Sequence, residues 1–94
     1  DDDVENLYGS MSAVALIQHY YDNNNLTEAR RLVEAFVESS TPHVYWHARG
    51  YILLSDICRK EGKVFEANEY LRTLRANYPG KEQEIYNLID ERLK

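Results

Sequence analysis

His43 and His47 stand four residues apart, a spacing that puts both rings on one side of a helix, where they could share a metal ion. Zinc asks for further ligands, and no Cys, Asp or Glu follows at a matching spacing; His-Glu-x-x-His and Cys-x-x-Cys are both absent. His19 precedes Tyr20, Tyr21 and Asp22, a setting for a carboxylate-held base, but no nucleophile motif accompanies it and aromatic packing is the plainer reading. Cys58 is the single cysteine, so no internal disulfide forms, and its place in an apolar stripe reads as inert packing. Asp22-Asn23-Asn24-Asn25 begins like a calcium loop but puts Thr27 where Gly, and Val33 where Glu, would be needed. Asn25-Leu26-Thr27 is a glycosylation sequon that helix capping already explains. No Gly-rich phosphate loop is present. These residues predict no catalytic site, no metal site and no cofactor.

The elements that hold them are helical. Ninety-four residues make one domain with one modest core. Hydrophobic residues at 44% and charged residues at 29% describe a globular chain rather than a disordered one. A net charge of −5 argues against a nucleic-acid partner, and no apolar run has the length of a membrane span. Much of the charge lies in Asp1, Asp2, Asp3 and Glu5, expected to be frayed. The chain opens on Asp1 without a signal-peptide pattern, which suggests a removed leader or a piece of a longer protein and leaves the compartment open. Apolar residues at three- and four-residue spacing predict five helices: from Val4 or Ser10 to Tyr21, from Asn25 to Ser39, His43–Glu61, Val64–Asn77 and Glu82–Leu93. Asn25 with Glu28 forms a capping pair; Ser40 or Thr41 caps the third helix, with Pro42 in its first turn. Gly62 closes that helix in the left-handed conformation, and Lys63 leaves the fourth without a capping oxygen.

An internal repeat joins these elements. Leu26-Thr27-Glu28-Ala29 overlays Val64-Phe65-Glu66-Ala67, and Val33 with Leu71, Phe36 with Leu74, Leu16 with Leu54 and Tyr20 with Cys58 keep the same offset of thirty-eight positions. A small residue at a helix contact lets two helices approach closely, so Ala29 and Ala67 should each lie inside a hairpin. The second unit sets out Tyr51, Leu54, Ser55, Cys58, Gly62, Ala67, Leu71, Leu74 and Pro79; the first sets out Ala13, Leu16, Tyr20, Asn24, Ala29, Val33 and Phe36. This ordered set resembles the tetratricopeptide (TPR) repeat, a hairpin of roughly 34 residues. It departs from that pattern in Ile17, Cys58, Phe36 and Leu74, and in a longer link between the units. The stretch from Thr41 to Arg49 and the long helix after it look like the carboxy-terminal section of large bacterial TPR proteins, which implies a bacterial origin in cytoplasm, periplasm or cell envelope.

The resemblance implies an all-α, right-handed superhelix of hairpins: a first hairpin over 10–41, a second over 42–79 and a capping helix over 81–94. It also implies a non-enzymatic interaction or scaffold module whose concave face takes a peptide. The residues expected on that face are Met11, Val14, Gln18 and Tyr21 from the first unit and Arg49, Ile52, Asp56 and Arg59 from the second. The two arginines suit a peptide with some acidic character. The alternative is a structural spacer or terminal cap without a ligand of its own. Leu7, Met11, Val14, Leu16 and Ile17 occupy more than one side of the first helix, so self-association through that helix is expected. Of the adjacent Tyr45 and Trp46, Trp46 is expected to be buried and Tyr45 to lie at an edge.

Overall fold

A computed structural model of the chain describes residues 2–39 and 41–94, with side chains from residue 6 onward. The described residues form five α-helices and no strand: α1 (Asp2–Asp22), α2 (Leu26–Glu38), α3 (Val44–Lys60), α4 (Val64–Asn77) and α5 (Gln83–Arg92). Two boundaries correct the sequence reading. α1 begins at Asp2, ahead of the expected start at Val4 or Ser10. Pro42 lies outside α3, whose capping position is His43; Thr41 Oγ1 accepts from the His43 amide at 3.2 Å and turns the chain just before the helix. The reading of Ser40 as a cap falls outside the described residues.

Both hairpins turn along the same backbone path. Asn24 and Gly62 each take a positive φ, 60° and 83°. The amide after each reaches back to close the helix before it: Asn25 to the Tyr20 carbonyl at 2.9 Å, Lys63 to the Cys58 carbonyl at 2.8 Å. The positive-φ residues bond to Tyr21 and Arg59, completing a Schellman closure twice at the repeat offset. The next helix starts differently in the two units. Asn25 Oδ1 accepts from the Glu28 amide at 3.4 Å, while Lys63 makes no side-chain cap. Glu28 does not reach back to Asn25 as the capping pair anticipates; its carboxylate is held by Arg31 one turn on.

Ala29 and Ala67 are fully buried, in one cluster with Val14 and Ile17 of α1 and Ile57 and Cys58 of α3. α3 packs on both α1 and α2, α4 packs on α3, and α5 lies across α3 and α4. The core accordingly falls into two clusters on opposite sides of α3. Leu53, Leu54, Ile57 and Cys58 join Val14, Ile17 and Val33 on one side. Ala48 and Ile52 join Leu71, Ile85 and Ile89 on the other, under α5. Gly50 lets α3 approach α2 closely: a Cβ there would sit 2.6 Å from the Phe36 ring. The equivalence of Leu16 with Leu54 holds in sequence but not in burial, since Leu54 is 2% and Leu16 47% exposed; Ile17 takes the core position in α1. Trp46 is half-buried rather than buried. It packs toward the first cluster and Tyr45 toward the second, their rings meeting edge to face at 5.0 Å.

Candidate functional site

The eight residues expected on a concave face do not share one surface. Val14 and Ile52, 4% and 3% exposed, belong to the two core clusters and offer nothing to a ligand. Tyr21 and Asp56 do come together. Asp56 accepts two hydrogen bonds from Arg92 of α5, at 2.8 and 3.1 Å, and the Lys60 ammonium lies 4.1 Å from the Tyr21 ring centroid. Burial, helped by the Asp56 charge, pushes the Tyr21 phenol above its ordinary pKa. Gln18 donates to Asp22 at 2.8 Å, and Met11 stands exposed. Arg49 belongs to a separate group near the start of α3: it donates to the Tyr45 hydroxyl at 2.8 Å and lies 3.5 Å from Glu84 of α5. Arg59 points to α4, where it donates to Asn68 Oδ1 at 2.7 Å. The cations expected to clamp an acidic peptide are therefore engaged within the molecule, tying α3 to α4 and α5.

The remaining chemical candidates are also absorbed by the fold. Cys58 is buried and accepts from the Arg30 guanidinium at 3.3 Å. His19 pairs with Asn23 at 3.4 Å and packs against Tyr20, while Asp22 is taken by Gln18. His47 Nε2 donates to the Val37 carbonyl at 2.8 Å, which fixes its proton on that nitrogen. Among the described residues no three His, Cys, Asp or Glu side chains converge, and no helix is long and apolar enough to cross a membrane.

An open apolar groove lies elsewhere, between α3 and α4, with a volume of about 600 Å³. Its α3 wall is Val44, His47, Ala48 and Tyr51, one side of that helix by spacing. Its α4 wall runs from Phe65 through Tyr70 to Leu74, and Tyr78-Pro79 closes one end. The wall is stiffened from within. His47 stacks edge to face on Tyr51 at 5.1 Å, and Tyr51 meets Tyr70 at 6.2 Å. Tyr78 donates to Glu82, and burial pushes its phenol well above the ordinary range. Phe65 is 72% exposed, and Tyr70 of α4 and Val44 at the start of α3 are exposed along the same lining, an arrangement a folded chain gains nothing from by itself. The volume falls within the roughly 300–1,000 Å³ typical of ligand sites. Such a groove can take apolar side chains of a partner.

The sequence reading missed this groove because it used Phe65 only to align the repeat and singled out no exposed aromatic of α4. A signal was available. Phe65 sits nearly opposite Ala67 and Leu71 on the helical wheel, so a large aromatic was left over once the core side had been assigned. Compared with known protein families, curated proteins and solved structures, the chain finds no match.

Proposed function

We propose that the protein is a non-enzymatic interaction module, a TPR-like right-handed stack of two helical hairpins closed by α5, and that it holds a peptide segment through apolar anchors in the α3–α4 groove. The observation that carries this reading is the exposed aromatic wall of that groove, with Phe65 and Tyr70 standing over a cavity of about 600 Å³. Two further features support the stack: the repeated Schellman turns and the buried Ala29 and Ala67. The groove replaces the concave face as the binding surface, because Arg49 and Asp56 of that face are paired with α5 and Arg59 is held by Asn68 of α4.

The test is amide chemical-shift mapping of the intact, isotope-labelled chain against a library of small apolar and aromatic fragments. Shifts gathered on Val44, Tyr51, Phe65 and Tyr70, and lost in Phe65→Ala, are the expected result. Shifts gathered instead around Gln18, Tyr21 and Arg49 would return the site to the concave face. A chain that responds to no fragment would be a structural spacer.

A further inference from the structure

The groove has a charge as well as a shape. Its lining includes two carboxylates, Glu66 and Glu69, and neither Lys nor Arg. Glu66 has no ion-pair partner among the described residues. Glu69 meets only Arg72, 2.8 Å away on its own helix, in a pair about half exposed on both sides, the kind of contact that water already weakens and a partner's cation can replace. The rings of Tyr51, Phe65 and Tyr70 add the negative potential of their faces, which attracts a cation. Two further arginines of α3 and α4 are engaged elsewhere: Arg59 is held by Asn68 and Arg75 by Asp90, neither partner in the lining.

From this complementarity, and resting on the reading of the groove as a peptide site, we infer that the occupant is a basic peptide segment whose apolar side chains sit among Phe65, Tyr70 and Leu74 while its Lys or Arg residues meet Glu66 and Glu69. The inference reverses the acidic partner that the sequence suggests, because Arg49 and Arg59 are engaged inside the molecule, whereas Glu66 has no ion pair among the described residues and Glu69 only an exposed one. An anionic surface, whether nucleic acid or acidic lipid, would meet like charge at the groove and is disfavoured for the same reason.

The experiment is selection from a displayed random peptide library on the intact chain, with selected peptides then titrated against Phe65→Ala and against the double variant Glu66→Gln/Glu69→Gln. Both sites are exposed, so the variants are expected to fold, and circular dichroism verifies that they do. Peptides enriched in Lys and Arg around apolar residues, bound through Phe65 and weakened about two- to tenfold by the double variant, are the expected result. Peptides that need Phe65 but show no basic bias and bind the double variant unchanged would overturn this inference and leave the groove reading in place. Selection of no peptide that depends on Phe65 would overturn both.

Discussion

α1–α2 and α3–α4 pass through the same backbone turn, yet the two hairpins bury different things. Leu16 and Leu54 occupy equivalent positions; one lies open on α1 while the other sits between α3 and the first hairpin. His19 and Ile57 repeat the contrast, as do Ser12 and Gly50. The reason is place in the stack. α3 has helices on both sides and α1 on one only, so a residue pattern that closes a hairpin does not by itself determine how much of it is buried. Local hydrogen bonding repeats faithfully; packing depends on neighbours.

The widest separation between the hairpins should appear on truncating the paired leucines. Leu54→Ala removes buried methyl groups from a core filled from both sides and should cost about 2–5 kcal/mol. Leu16→Ala should change stability by no more than about 0.5 kcal/mol. Urea unfolding of both variants measures this, and equal losses would mean that α1 is covered in solution. Gly50→Ala comes next. The new Cβ would press on the Phe36 ring, an overpacking cost of about 1–3 kcal/mol, partly offset by about 1 kcal/mol of helix propensity. Ser12→Ala, its exposed counterpart, has no such ring to meet and should be neutral or slightly stabilising. A stabilising Gly50→Ala would show that α2 and α3 are further apart than described.

The turns sharpen the comparison from the other direction, because there the geometry is shared and only the residue differs. Ala at position 62 would be forced to a positive φ and should destabilise by about 1–2 kcal/mol. Asn24→Gly relieves the same conformation in the first hairpin and should stabilise by about a few tenths of a kcal/mol. Thermal melts of the two variants should therefore move in opposite directions. The helix starts form a smaller pair. Asn25→Ala removes a long cap bond, worth about 0.5 kcal/mol at the low end of the capping range, and Lys63→Asn should add a similar amount to α4. A Lys63→Asn variant that gains nothing would show that α4 is already held at its start by packing alone.

What was legible in the sequence divides along the same line. The five helices, the Gly62 closure and the burial of Ala29 and Ala67 rest on short-range pattern, and the structure carries all of them. Choosing between Leu16 and Ile17 for the core of α1 was not legible, since adjacent apolar residues differ only in which neighbour they meet. Nor were the contacts that use up the expected binding residues. Arg92 lies thirty-six positions from Asp56, and Glu84 lies on α5 opposite Arg49 near the start of α3; neither pair leaves a local trace. The groove was half legible, through the surplus Phe65 on the side of α4 away from its core stripe.

Among the described residues one ion pair crosses between the hairpins and gives the comparison its pH dependence. Arg30 of α2 donates to both carboxylate oxygens of Glu61, at 3.1 and 3.0 Å, beside the second turn. The equivalent place at the first turn, Asn23, carries no charge. These hydrogen bonds hold the Glu61 carboxyl below its ordinary value of 4.5 and raise the Arg30 guanidinium further above neutral pH. A carboxyl whose pKa is lower in the folded chain contributes stability at pH values above its unfolded pKa, and that contribution disappears as the pH falls through the lowered folded value. The side chains remain 26% and 22% exposed, so the pair is worth no more than about 1 kcal/mol. Glu61→Gln should therefore lower stability slightly near neutral pH and flatten the acid side of the stability profile below about pH 4.5. Parallel acid titrations of wild type and Glu61→Gln, each followed by urea unfolding, read this directly. Two curves that stay parallel through the acid range would mean that the Arg30–Glu61 pair does not join the hairpins in solution, and that packing around Leu54 and Phe36 alone holds them in register.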